Sequence, residues 1–243
     1  MTAAPILLAL EASQRDASVA LAGPFGLDHE PLRTRRKHDE DLMPAIDRLC
    51  ARHGVAPAAI DAVAVSIGPG GFTGLRITVV TAKMLALAAG AQPIAVPSAL
   101  VAAAGTPRPE GCTFADPVLV VLGAKRDHAW TSRVAGDDAA ERDAARPGFD
   151  GWRELDPPRW GPVADRPLDD VRAVLADEHA PSDLLERARS ANRPVIAPVL
   201  DARVLARLGA AAFAAGRTVD PHALAPLYGR EPEAVSLWRE RHG

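Results

Sequence analysis

Apolar and polar positions change period repeatedly along the first half of the chain. Short apolar runs bounded by polar turns predict strands, and longer segments with apolar residues three and four positions apart predict helices. The predicted order is strand, strand, strand, helix, strand, helix, strand. The predicted segments are 5–10, 17–22, 27–36, 39–52, 62–67, a helix that ends near 89, and 92–96.

The connection between the first two predicted strands, residues 13–16, is very short. It has no room for a helix, so the two strands are expected to form an antiparallel hairpin. A doubly wound parallel sheet would need a helix at this point. The order therefore predicts an α/β fold of the ribonuclease-H-like type, the unit from which the actin/Hsp70/sugar-kinase superfamily is built.

Glycine, proline and small residues gather at 102–115, where we expect the boundary between two similar subdomains, 1–104 and 105–243. Each is predicted to have a mixed sheet with flanking helices, the second being a degenerate copy of the first. Its predicted strands are 117–124, 129–134, 195–199 and short segments near Trp152 and Trp160. Its predicted helices are 168–177, 182–190 and 202–215, followed by a tail that is extended at 225–229 and then weakly helical.

A glycine-rich turn joins the strand at 62–67 to the next helix, and its sequence from Ser66 to Arg76 is SIGPGGFTGLR. Such a turn points backbone N–H groups at a bound anion or at another backbone segment. It lacks the Lys-Ser/Thr ending of a P-loop, and the third glycine and later acidic residue of a dinucleotide fingerprint. A purely structural turn is the alternative to an anion site. The candidates for anion contact are Gly68, Gly70, Gly71, Thr73, Gly74 and Arg76.

The helix after this turn carries two apolar stripes, separated by a narrow seam with Arg76 and Lys83. A helix that is apolar almost all round is buried on more than one side. We expect the sheet to bury the Ile77/Val80 stripe, and the Leu75/Val79 stripe to be left for a partner. The seam residues are either solvated, or Arg76 pairs with a partner's carboxylate or a bound anion. The predicted partner interface is Leu42, Ile46, Leu49, Leu75, Val79, Ala82 and Lys83.

The overall composition is that of a globular protein, with 48% hydrophobic and 24% charged residues. The formal net charge is −3 and the isoelectric point is near 6.2. A protein that held a nucleic acid alone would normally carry a basic face and a high isoelectric point. We therefore expect any contact with nucleic acid to be indirect. The N-terminal apolar run is too short for a signal peptide or a membrane span, so a cytoplasmic location is expected.

Catalytic and metal-binding patterns are weak in this sequence. The seven histidines never lie three or four residues apart, so none can pair on a helix face as metal ligands normally do. A G-x-S-x-G nucleophile motif is missing, and Ser66 has no base nearby in sequence. Cys50 and Cys112 fit no disulfide or metal spacing and are expected to be reduced thiols. His38 is interpreted as a partner in hydrogen bonding at a helix entry rather than as a ligand.

Several segments together resemble the TsaB (YeaZ) family. The turn GPGGFTGLR is similar to the family's GPGSFTGLR, and the first two predicted strands resemble its opening strand pair. His38 with the following Leu42-Met43-Pro44 resembles its H-x-x-x-L-x-P segment. Pro226-Leu-Tyr-Gly-Arg230 resembles its P-x-Y-x-R near the C-terminus. The segment 106–221 resembles the family only in layout.

The chain departs from the family pattern in three segments: the family has Asp at the position of Glu11, Ser at Gly71, and Asp-Ala-Arg at Gly123-Ala124-Lys125. In the superfamily's ATP-using members, the first and third positions hold metal and nucleotide phosphates. A carboxylate one methylene further out at position 11 would misplace a Mg²⁺ ion, which demands near-ideal octahedral geometry. We therefore expect no cofactor on this chain alone; any ATP with Mg²⁺ would bind only in a complex.

The resemblance implies a scaffold without catalytic residues that binds a TsaD-like catalytic subunit. With a TsaE-like ATPase, that complex would transfer a threonylcarbamoyl group to the adenosine beside the tRNA anticodon. One rival is an ATP-dependent small-molecule kinase or ATPase of the same superfamily. Another is a bare homodimer that uses the same helices.

Overall fold

The computed structural model of the protein describes residues 4–33, 38–125, 127–137, 149–227 and 238, without the side chains of 38–40, 124 and 125. Two mixed sheets, each flanked by helices, form a two-subdomain α/β fold, which confirms the predicted fold class. The elements of the first half are β1 Leu7–Glu11, β2 Ser18–Gly23, β3 Gly26–Pro31, α1 His38–His53, β4 Ala62–Ser66, α2 Phe72–Ala89, β5 Gln92–Val96 and α3 Ser98–Gly105. Those of the second half are β6 Val118–Lys125, β7 His128–Gly136, β8 Trp152–Glu154, β9 Arg159–Pro162, β10 Ala173–Ala176, α4 Ser182–Ser190, β11 Val195–Ile196 and α5 Ala202–Ala214.

The first sheet has the strand order β3-β2-β1-β4-β5. The short turn after β1 produces the predicted hairpin, so β1, β2 and β3 are antiparallel neighbours. Strands β4 and β5 lie parallel to β1 and to each other, because helices α1 and α2 carry the chain back across the sheet between them. The carboxyl ends of β1 and β4 therefore meet at one edge, where the glycine-rich turn begins.

The second sheet has the order β11-β10-β6-β7-β8, and β9 also pairs with β7. The helix predicted at 168–177 is wrong, because Ala173–Ala176 is a buried strand between β6 and β11. Its four apolar residues follow the charged Asp169, Asp170 and Arg172, and so short a run cannot distinguish a helix turn from a buried strand. The predicted strand at 195–199 is reduced to Val195–Ile196.

Helix α5 belongs to the second half of the chain but packs on β1, β2 and β4 of the first sheet. Gly209 permits this contact, since a Cβ atom there would lie 2.5 Å from the Cβ atom of Ala64. One core cluster is consequently shared by both sheets, α3 and α5. The division into 1–104 and 105–243 stays a prediction, and α5 crosses it.

The opposite face of the first sheet is covered by α1, α2 and the C-terminal segment 219–227. Val219 N–H donates to the carbonyl of Pro93 at 2.9 Å, and Leu227 N–H donates to that of Ile67 at 2.7 Å. Leu224 lies in the same buried cluster as Val79 and Ala82 of α2. The segment therefore closes one flank of α2.

Charged pairs fasten the edge strand β3 to α1. Arg52 contacts Asp28 at 3.0 Å and Glu30 at 2.7 Å, and His53 Nε2 lies 2.9 Å from Asp28. The hydrogen bond with His53, followed by that with Arg52, lowers the pKa of Asp28 from 3.8 to about 2. An edge strand covered in this way is also protected from pairing with other chains.

This edge predicts an acid-sensitive step in stability. A carboxyl group whose pKa is lowered by folding stabilises the fold above its unfolded pKa and loses that contribution as pH falls through the folded value. The free energy of unfolding should therefore fall between pH 3.8 and about 2, and Asp28→Asn should flatten that part of the profile. Urea titrations across this pH range measure it; an unchanged profile in Asp28→Asn would contradict it.

Candidate functional site

The glycine-rich turn lies where the carboxyl ends of β1 and β4 meet. Its Gly68 has φ +110°, and the Gly68–Pro69 peptide bond is cis. The Gly68 carbonyl accepts a hydrogen bond from Ser98 N–H at 2.8 Å, and Gly71 N–H donates to the carbonyl of Ser13 at 2.7 Å. The turn is thus tied to the start of α3 on one side and to the β1–β2 hairpin on the other.

Two of its glycines are needed because backbone lies directly against them. A Cβ atom at Gly70 would be 2.3 Å from the carbonyl oxygen of Ser13, and one at Gly74 would be 2.0 Å from that of Ala12. Real Cβ atoms do not approach oxygen so closely, and a backbone carbonyl cannot swing away as a side chain can. The structural alternative therefore accounts for Gly70 and Gly74, and the anion-contact role stays a prediction.

Glu11 is buried next to this turn, with only 1% of its surface exposed. Its Oε1 accepts hydrogen bonds from the backbone N–H and the hydroxyl of Ser13, and its Oε2 accepts one from the Ser66 hydroxyl. Burial raises the pKa of Glu11, and these hydrogen bonds offset part of that rise. These three hydrogen bonds engage both carboxyl oxygens, which a metal ion at this position would have to compete for.

The third superfamily position is equally unsuited to a metal-bound nucleotide. Gly123 carries no side chain, has φ +62°, and donates its N–H to Asp177 Oδ2 at 2.7 Å. The other oxygen of Asp177 accepts from His179 N–H at 3.0 Å. Across the part of the chain that the structure describes, no group of three His, Cys, Asp or Glu side chains could hold a metal ion. These residues do not fit a Mg²⁺-nucleotide.

The predicted docking stripe is in the wrong place. The side chains assigned to it on α1 and α2 are buried within the monomer, with exposed fractions between 0% and 5%. The alanines of this stripe let α2 lie close against the sheet, and the 219–227 segment covers the remaining flank. The buried residues are Leu42, Ile46, Leu49, Leu75, Val79 and Ala82.

Most of the other stripe of α2, which the sheet was expected to bury, faces outward, whereas its Ile77 is half-buried against the core. Five large apolar side chains of α1 and α2 are more than half exposed. We call this surface the outer helix face. Its members and exposed fractions are Met43 55%, Phe72 58%, Val80 56%, Met84 58% and Leu87 57%.

The remaining predicted residues lie around this face. Arg76 is exposed and its guanidinium lies 5.0 Å from the centre of the Phe72 ring. Thr73 and Gly71 are exposed at the start of α2. Lys83 is half-buried beside the C-terminal segment, and its Nζ donates to the carbonyl of His222 there at 3.4 Å. Charged groups thus flank an apolar centre, an arrangement typical of protein interfaces.

Some predictions fall on parts of the chain outside the described residues. Tyr228 and Arg230 of the C-terminal motif and the side chain of His38 belong to these parts. Of the described helices, α2 alone is long and apolar enough to cross a membrane, judged by length and composition only. One side of it lies on the first sheet, as in a core helix of a globular protein.

Comparison with known proteins agrees with this architecture. The family model described as "TsaD: tRNA N6-adenosine threonylcarbamoyltransferase" matches residues 24–170, more than half of the chain. TsaB of Haemophilus influenzae is 37% identical over 83 residues, which cover 34% of this chain and 35% of that protein. TsaB of Escherichia coli K12 is 28% identical over 132 residues, covering 54% and 56% respectively. The matches thus span about a third to just over half of these relatives' length.

A solved structure, YeaZ from Pseudomonas aeruginosa, superposes with a TM-score of 0.74 at 24% identity and covers 92% of this chain and 99% of that one. The fold and the glycine-rich turn define a two-subdomain α/β protein of the actin/Hsp70/kinase type. The chain belongs to the family that the TsaD model describes, and curated relatives named TsaB confirm the resemblance to TsaB (YeaZ) proteins seen in its sequence.

Proposed function

We propose that this protein supports threonylcarbamoyladenosine synthesis on tRNA as a scaffold without catalytic residues, docking through the outer helix face on a TsaD-like catalytic subunit. One observation carries the proposal: five large apolar side chains on two adjacent helices are more than half exposed. Burying a fully exposed side chain of this size contributes about 1.5–3 kcal/mol, so a partner that covers these half-exposed ones gains roughly half of that from each. The relatives are named for this pathway, and several matching proteins are threonylcarbamoyltransferases.

The closed site at the glycine-rich turn supports the accessory role. Glu11 is enclosed by hydroxyl and N–H donors, and Gly123 offers no carboxylate. A nucleotide-dependent kinase of this superfamily would need both positions open to a metal ion. This geometry therefore gives no support to the kinase alternative. The proposal also includes contact with a TsaE-like ATPase and an indirect role in the modification of tRNA.

Val80→Asp should abolish high-affinity binding to the TsaD-like subunit of the same organism. A charge placed in the centre of the buried contact should cost at least about 2 kcal/mol, or roughly thirtyfold in dissociation constant. Calorimetric titration of the two purified subunits measures this. Ala210→Asp, which puts the same charge on an exposed position of α5, is the matched control and should bind normally.

Unchanged affinity of the Val80→Asp variant would contradict the docking face. Reconstituted tRNA modification at full rate without this chain would contradict the scaffold role. Light scattering across a range of concentrations distinguishes a homodimer, since Val80→Asp would then dissociate the protein without any TsaD-like subunit present.

A further inference from the structure

A pocket at the junction of the two subdomains is distinct from both the outer helix face and the glycine-rich turn. It lies between the end of α3, the tight turn that precedes β8, and α5, with a volume of about 380 Å³. Ala103, Ala104 and the buried Trp152 supply apolar walls, while Arg108 and Arg207 supply two guanidinium groups. Asp150 is the one carboxylate among the described residues that line it.

Arg108 is a half-buried cation that no described carboxylate hydrogen-bonds. Its Nη1 and Nη2 donate to the backbone carbonyls of Asp116 and Phe114, each at 3.2 Å. Its Nε is buried without a hydrogen-bond partner in the described structure, and the guanidinium lies 5.0 Å from the centre of the Trp152 ring. Burial lowers the pKa of Arg108, and interactions with Cys112 and Asp116 offset only part of that effect. Burying a charge without a hydrogen-bonded counter-ion is costly, and Arg108 has none among the described residues.

Arg207 reaches the same pocket from α5. Its Nε lies 3.1 Å from Asp150 Oδ2, and both side chains are about half exposed. Asp150 has φ +53° and is followed by Gly151 at φ +78°, so a tight turn carries this carboxylate to the guanidinium. The existing ion pair shows that an oxyanion placed here has a guanidinium to bind.

The geometry points to a binding site for a small oxyanion, a carboxylate or a phosphate, held between Arg108 and Arg207 against the apolar wall formed by Trp152. Guanidinium groups recognise both anions through paired N–H donors. Asp150 partners Arg207 in the free protein, and a bound oxyanion takes its place. Arg108 supports the segment between α3 and β6 by donating to the carbonyls of Phe114 and Asp116, and this explains the presence of Arg108. It does not explain why a second guanidinium, that of Arg207, faces the same pocket.

Separate calorimetric titrations with inorganic phosphate and with malonate test this site on the full chain. We expect saturable binding of at least one of the two, and which one binds distinguishes a phosphate from a carboxylate ligand. Arg207→Gln should weaken that binding about tenfold or more. Asp150→Asn should strengthen it, because the competing carboxylate is removed. Arg153→Gln, which alters an exposed arginine paired with Asp137 outside the lining, is the control.

Several results would overturn the inference. These are non-saturable titration by both anions, equal affinity in Arg207→Gln, or weaker binding in Asp150→Asn. Arg207 is half exposed, so its replacement should leave the fold intact, which circular dichroism checks. None of these readouts involves a TsaD-like subunit, so failure here leaves the scaffold proposal standing.

Discussion

Aspartate in place of Val79 is expected to unfold the protein rather than to break an interface. Val79 is only 3% exposed and lies among Leu224, Ala82 and the apolar side chains of the first sheet. An unpaired charge buried there should cost more than about 4 kcal/mol, a large part of the roughly 5–15 kcal/mol by which domains are stable. Thermal and urea unfolding of the purified variant would show this as a collapse of the transition.

The neighbouring residue is the decisive control for this prediction. Val80 is 56% exposed, so Val80→Asp should unfold close to the wild-type midpoint while losing partner binding. Together, the two variants separate burial in the monomer from burial in a complex. A Val79→Asp protein of normal stability would mean that α2 does not pack on the sheet as described.

Alanine at Gly74 is expected to destabilise the protein by about 3 kcal/mol or more. The added Cβ atom would lie 2.0 Å from the Ala12 carbonyl oxygen, so α2 or the β1–β2 hairpin must move. Overpacking in a tight interior usually costs about 1–3 kcal/mol, and a rigid backbone neighbour puts this site at the upper end. Replacing glycine within a helix recovers at most about 1 kcal/mol. The overlap therefore outweighs the gain in helix propensity.

Gly71→Ala is the matched comparison in the same turn. Its Cβ atom would lie 3.7 Å from the Ser13 carbonyl oxygen, an ordinary contact, and its φ of −63° suits any residue. We expect its midpoint of urea unfolding to stay near that of the wild type. Equal destabilisation by both substitutions would show that close approach of backbone is not the reason for Gly74.

Much of the fold could be predicted from the sequence because it depends on residues that are close together in the chain. The short connection at 13–16 allowed only a hairpin, and α2 ends at Ala89, as predicted, with Gly90 at φ +78° directly after it. The strand at 62–67 followed by glycines correctly predicted a strand, a turn and a helix. By contrast, the Ala173–Ala176 strand was predicted as helix, since its identity depends on its neighbours β6 and β11 rather than on its own four residues.

The exposed residues at the candidate site could not be selected in the same way. Periodicity placed Leu75 with Val79, and Val80 with Met84, on separate stripes of α2, and both stripes consist of apolar residues. The content of small residues was a usable signal, because Ala82 and Ala86 permit a helix to lie close to a sheet.

The sequence by itself determined the order of elements, the hairpin, the glycine turn and the presence of a helix with two apolar stripes, because each depends on neighbours a few positions away. Only the tertiary structure decided which stripe remains outside. That choice depends on the first sheet and on the 219–227 segment, which packs on α2 from far along the chain. Which apolar residues are buried depends on segments that are distant in sequence, and a local pattern of residues contains no information about those segments.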